Sequence, residues 1–225
     1  MENVLLIGSK GGIGNAINIK LKKQSYYVDS YDSSKLDLSL ETSVDAFIKK
    51  IKPRYNHIVF SSGINKIKSF EKINKSDLYK ALNINIINFL VLLASLLKGN
   101  ISKKNNSIVM ISSLYGTFGR KKRLPYVISK HAMNGACKSL AIELGKKNIR
   151  VNTISPGFID TNLTKKNLSK KEISEIENKI PLGSLGKPKD IANAVCFLIS
   201  KNAAYISGTD FTIDGGFSCG AFMGV

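Results

Sequence analysis

Apolar runs that alternate with helix-spaced segments, a glycine-rich turn directly after the first run, and an acidic residue closing the second predict an α/β fold. The expected architecture is one doubly wound parallel sheet with helices on both faces. Residues 4–7 form an uninterrupted apolar run that stops at Gly8, as a buried parallel strand requires. Residues 13–23 follow with helical spacing. A second strand is expected at 26–31, a helix at 42–51 and a third strand at His57–Phe60. A long helix is expected at 76–97 and a strand at 107–111. Pro125 suits the first turn of a helix over 125–144, because its φ is fixed and no N–H is needed there. A strand at 149–154, a helix at 187–200 and a strand at Asp210–Ile213 complete the set. No repeat, linker or low-complexity segment divides the 225 residues, so one domain over 1–225 is expected. Ligands of such sheets gather at the carboxyl ends of the strands.

Composition narrows the function class. The chain is 43% hydrophobic, enough for a sizeable core. Its formal charge is +18, which would suit nucleic acid or a membrane surface. The excess is nearly all scattered lysine, with arginine only at 54, 120, 123 and 150. That pattern reads as compositional bias, so neither a nucleic-acid nor a membrane partner is expected. The first residues lack the basic segment and long apolar run of a signal peptide. The stretch 84–97 is interrupted by Asn85, Asn88 and Ser95 and reads as too short and too polar to span a bilayer. Cys137, Cys196 and Cys219 are far apart, odd in number and without metal-like spacing. They are expected to be reduced core thiols of a cytoplasmic protein, with no metal centre.

Two motifs carry chemistry. Gly8-Ser9-Lys10-Gly11-Gly12-Ile13-Gly14 joins the first strand to the first helix. Its glycines allow a tight turn and a close backbone approach to a pyrophosphate seated on the helix N-terminus. Asp32 lies 18 residues past Gly14, where a carboxylate accepts both ribose hydroxyls of NAD and repels the 2′-phosphate of NADP. Lys10 is the competing residue, able to pair with that phosphate; NAD(H) is expected over NADP(H). The second motif is Tyr126 and Lys130, four apart on one helix face. An ammonium beside a phenol favours the phenolate, making an acid/base for a hydroxyl proton.

With these motifs in place, the chain resembles the short-chain dehydrogenase/reductase family over roughly residues 3–217. The cofactor loop is Gly8, Gly12 and Gly14; Leu36-Asp37-Leu38 matches the segment that meets the adenine. Leu82-Asn83-Ile84-Asn85 matches the helix of the catalytic asparagine, and Ile111-Ser112-Ser113 the strand end of the catalytic serine, 13 residues before Tyr126. The segment 149–161, with Pro156, Gly157, Ile159 and Thr161, matches the part that closes over the nicotinamide. Gly186-Lys187-Pro188-Lys189-Asp190 and Asp214-Gly215-Gly216 match C-terminal signatures, as in 3-oxoacyl-carrier-protein reductase-like members. Two positions depart from the pattern. Ile7 replaces a threonine, and Phe60-Ser61-Ser62-Gly63 replaces Asn-Asn-Ala-Gly, with Ser62 and Gly63 still beside the cofactor.

The resemblance implies a Rossmann fold, a nicotinamide cofactor and a tetrad of Asn85, Ser113, Tyr126 and Lys130. In the reductive direction Tyr126 would donate a proton to a carbonyl oxygen that Ser113 positions. Lys130 would lower the Tyr126 pKa and hold the nicotinamide ribose, and Asn85 would kink its helix and hold a water. It also implies a substrate lid at about 160–185, and dimers or tetramers assembled through the helices at 76–97 and 125–144. His131 and His57 read as structural. Arg120-Lys121-Lys122-Arg123 lies between Ser113 and Tyr126, where cations would favour an anionic or carrier-bound substrate. The expected reaction interconverts a secondary alcohol and a ketone. The alternatives are an NADPH-dependent 3-oxoacyl-carrier-protein reductase, an enzyme of sugar precursors, and a non-catalytic nucleotide-sensing scaffold.

Overall fold

The computed structural model describes residues 1–51, 54–99, 101 and 106–220. Six strands, β1 (Asn3–Ile7), β2 (Tyr27–Tyr31), β3 (His57–Phe60), β4 (Asn106–Ile111), β5 (Ile149–Pro156) and β6 (Asp210–Ile213), form one sheet in the order β2-β1-β3-β4-β5-β6. Every pairing is parallel. The chain leaves β1 outward to β2 and then returns to build β3 on the other side. The resulting crevice at the strand ends is where a doubly wound sheet holds its ligand.

Side-chain alternation explains why this sheet is buried on both faces. Leu5, Ile7, Ile58, Phe60, Ile108 and Met110 point to one layer, and Val4, Leu6, Val59 and Val109 to the other. The first layer is covered by α2 (Glu41–Lys50), α4 (Asn88–Leu96) and α5 (Leu124–Gly145). The second is covered by α1 (Gly12–Lys23) and α8 (Pro188–Ile199). Phe60 stacks on Phe89 of α4 with ring centroids 4.2 Å apart. Each such buried side chain contributes about 1.5–3 kcal/mol by leaving water.

The long helix expected at 76–97 is interrupted. α3 (Lys75–Leu82) passes through a π-helical turn at Asn83–Ile87 before α4 begins. Asn74 and Asp77 cap its start reciprocally. The run Lys75–Leu96 is, by length and composition, apolar enough to cross a membrane, with mean hydropathy 1.5, so the shorter window 84–97 understated it. Its apolar residues Phe89, Leu92, Leu93 and Leu96 are packed inside the core.

The expected lid segment holds two short helices, α6 (Asn162–Asn167) and α7 (Lys170–Glu177), capped by Thr161 and Ser169. Cys137 and Cys196 are buried, as a core thiol should be. Cys219 corrects that expectation: it is exposed, just past Gly216 in a short turn that contributes nothing to the core. His57 is fully buried against Tyr26, with Nε2 3.1 Å from Glu2.

Candidate active site

The cleft begins with a backbone device. Gly8 has φ +93, and a Cβ there would lie 2.5 Å from Ser62 N. The turn it makes sends the Gly8 and Ser9 amides to the Tyr31 carbonyl at 2.7 and 3.1 Å. A Cβ on Gly14 would overlap the Gly8 carbonyl oxygen, so only glycine lets α1 start tight beneath the turn. The first turn of α1 has no side-chain cap and no acidic residue. Its N–H groups therefore lack a side-chain partner, and Gly11, Gly12, Ile13 and Gly14 line the cleft. This donor set fits the pyrophosphate of a dinucleotide. Thr161 packs its methyl group on Gly12, closing the cradle from the far side.

Of the residues assigned to the adenosine end, Asp32 directly follows β2, and neither it nor Asp37 and Leu38 lines this cleft. Asp32 takes hydrogen bonds from the backbone N and hydroxyl of Ser34, which hold its carboxyl below the usual range, with Lys10 and Lys35 assisting. Asp37 accepts from Ser39 N at 2.8 Å. Leu38 buries its side chain in the core, and its carbonyl accepts from Asn88 Nδ2 at 2.9 Å. Lys10 is exposed and does not line the cleft.

Ser113, Tyr126 and Lys130 meet at the cleft floor with Gly63. Ser113 stands at the end of β4 and Tyr126 one turn into α5, whose start is set by Pro125. The Tyr126 phenol is pushed up to about 12 by burial, while its hydrogen bond with Ser113 pulls the other way. Lys130 is 3% exposed, and its Nζ donates to the Ile111 carbonyl at 2.7 Å. Burial brings it down to about 7. Lys130 Nζ also lies 5.5 Å from the centre of the Tyr126 ring.

Asn85 lies in the π turn and is fully buried. Its Oδ1 accepts from Ile64 N at 2.8 Å, and its Nδ2 donates to Ile64 O at 3.1 Å and Ser129 Oγ at 2.8 Å. Ser129 Oγ in turn donates to the Tyr126 carbonyl at 2.7 Å. The amide thus braces the strand β3 exit against the turn of α5 that carries Tyr126. A wider turn in the helix is what leaves room for that inward amide.

The substrate side is built from side chains. The basic loop divides: exposed Arg120 and buried Arg123 line the cleft, whereas exposed Lys121 and Lys122 do not. Arg120 lies over the rings of Tyr115 and Phe158, at 5.5 and 5.7 Å. Arg123 is 6% exposed, and its Nη1 donates to Asn65 Oδ1 at 2.9 Å. Pro156, Gly157, Ile159 and Thr161 line the cleft, and Thr164 Oγ1 ties α6 to the Ile159 carbonyl. Tyr115, Asn65 and Phe158 also line it and were not singled out by sequence. Tyr115 could have been found two residues after Ser113; Asn65 carries no local signal. His131 is exposed on the far side of α5, with Nδ1 3.0 Å from the Val127 carbonyl.

Comparison with known proteins agrees with this geometry. Residues 12–218 match the family model described as enoyl-(acyl carrier protein) reductase. The chain is 32% identical to 3-oxoacyl-[acyl-carrier-protein] reductase of Rickettsia felis, covering 94% of this chain and 95% of the relative. It is 29% identical to an uncharacterized oxidoreductase of Bacillus subtilis, covering 97% and 99%. Among solved structures, 4-hydroxyisoleucine dehydrogenase complexed with NADH superimposes with a TM-score of 0.88 at 29% identity, covering 98% of this chain and all of the other. A short-chain dehydrogenase family protein of Francisella tularensis gives the same TM-score at 25% identity, covering 97% and 99%. The chain belongs to the short-chain dehydrogenase/reductase family, and is an oxidoreductase of the class that works with a nicotinamide cofactor.

Proposed function

We propose that this protein interconverts a secondary alcohol and a ketone, with Tyr126 Oη carrying the proton. The observation behind this reading is the meeting of Tyr126, Ser113 and Lys130 in the same cleft as the uncapped N-terminus of α1. A nicotinamide bound there supplies or accepts the hydride. Gly11–Gly14 would hold its pyrophosphate, Lys130 its ribose, and Gly63 leaves the space between them. Tyr126, raised to about 12, is protonated at neutral pH, the state needed to give a proton to a carbonyl oxygen. Ser113, hydrogen-bonded to the phenol, would donate to the same carbonyl oxygen and position it. Asn85 keeps α5 in place through Ser129.

NAD(H) is the proposed cofactor. Asp32 is held ionised by Ser34 and would repel a 2′-phosphate, although Lys10 and Lys35 lie near enough to soften that repulsion. A carrier-bound 3-oxoacyl substrate is the second reading. It is favoured by the reductases of Rickettsia and by Lys121 and Lys122, exposed beside the cleft mouth. Exposed Ile87, Val91, Ile128 and Ile142 on the π turn, α4 and α5 suit assembly with further copies.

The test is a panel of ketones and secondary alcohols with NADH and NADPH in parallel. Turnover, faster with NADH, is the expected result. Nucleotide binding without turnover across the panel would instead identify a nucleotide-sensing scaffold.

A further inference from the structure

The substrate side of the cleft holds two guanidinium groups, and no described carboxylate makes direct contact with either. Among the described residues, no carboxylate lies within 4.0 Å of Arg120 or Arg123. On the lid, the Glu172 carboxylate attracts both guanidinium groups across a gap, but its Oε2 takes hydrogen bonds from the Ser169 backbone and hydroxyl, both at 2.8 Å, which hold it at the start of its own helix. Arg123 is nevertheless almost wholly buried. A buried cation costs several kcal/mol unless it is paired. Its only described hydrogen-bond partner is the neutral Asn65, whose Oδ1 and main-chain carbonyl oxygen both accept from Nη1, at 2.9 and 3.4 Å. That grip fixes the guanidinium while leaving most of its five donors for something else. Arg123 is the N-cap residue of α5, three residues before Tyr126, and both line the cleft.

We infer that Arg123, backed by Arg120, is a carboxylate clamp, and that the substrate is a small oxo or hydroxy acid whose carbonyl reaches Tyr126 while its carboxylate pairs with Arg123. This rests on the proposed alcohol–ketone chemistry and names its substrate class. A carboxylate matches the planar fork of a guanidinium through two parallel hydrogen bonds. Lys121 and Lys122, pointing to solvent, take no part. A thioester on a carrier has no charge at this position and would leave Arg123 unpaired, so the clamp argues for the free acid over the carrier-bound acyl group.

The experiment measures binding by calorimetry to the protein loaded with NAD⁺, where a ketone cannot turn over. The probes are pyruvate, acetoacetate and levulinate, each beside its methyl ester. At least one acid is expected to bind about tenfold or more tightly than its ester, the usual scale of a charge-assisted hydrogen bond. Arg123→Gln should erase that preference while ester binding stays as it was, and Arg123→Lys should restore part of it. Circular dichroism checks that the variants are folded. Equal binding of acid and ester, binding of neither, or a preference that survives Arg123→Gln overturns the clamp. A loss of acid and ester binding together in both variants also overturns it, since that marks a merely structural residue. Turnover of neutral ketones that depends on Tyr126 but shows no acid preference would sink the clamp alone. Absence of any turnover, with acid binding intact, would sink the alcohol–ketone reading instead.

Discussion

The two sides of the cleft are built from different materials. The nucleotide side is main chain: a glycine at positive φ, a helix with an uncapped start, and Gly14 pressed against the Gly8 carbonyl oxygen. The substrate side is side chain: Arg120 over two aromatic rings, Arg123 held by Asn65, and two short capped helices above them. Backbone recognition tolerates little change, because every atom of the turn is also part of the fold. Side-chain recognition can be altered one residue at a time. A shared cofactor and divergent substrates are what such a division allows.

The largest effect expected is at the line where the two sides meet. Tyr126→Phe should lower turnover by about 10²–10⁴-fold, the contribution of a general acid, while nucleotide affinity is retained. Fluorescence titration with NADH and steady-state rates read the two separately. Equal loss of both would place the tyrosine on the nucleotide side.

Glycine substitutions probe the main-chain side. Gly14→Ala should destabilise the fold by about 1–3 kcal/mol and remove nucleotide binding, because its methyl group would collide with the Gly8 carbonyl. Gly11→Ala should be nearly neutral, since its nearest neighbour would be 3.9 Å away. Denaturant unfolding distinguishes them, and similar losses at both positions would contradict the picture of a turn packed on Gly14.

Lys130 sharpens the boundary through pH. Burial holds it at about 7 in the folded protein against a usual 10.5. Between those values the unfolded chain binds the extra proton, so this residue makes stability rise as pH increases from about 7 to about 10.5. Lys130→Met should flatten that part of the stability curve. An unchanged slope would mean that the ammonium is hydrated after all.

The smallest effect is expected at the rim. Replacing Lys121 and Lys122 together by glutamine should change turnover of a small neutral ketone by less than about twofold, as solvent and salt screen exposed charges. A larger drop would bring the exposed pair into the substrate side.

Much of this division could be read before any coordinates. The strand ending at Gly8 is announced by an apolar run and a glycine, and α5 by Pro125. These are local signals, confined to a few neighbouring residues. Asn85 shows the limit. Its residue type was legible, but not the π turn that brings its amide inward to Ile64 and Ser129. Arg123 shows it again: four adjacent cations look alike in a string, and only Asn65, 58 residues away, separates one from its neighbours.

The order of residues alone therefore determined the parallel sheet, the glycine cradle and the chemical types gathered at the strand ends, because periodicity, turn preference and helix spacing act over short distances. Tertiary structure decided what those groups do at rest. It set which arginines face the cleft, turned Lys130 toward the Ile111 carbonyl, and raised the Tyr126 phenol. The reason is physical: burial and charge depend on which distant segments pack around a side chain, and no local pattern carries that information.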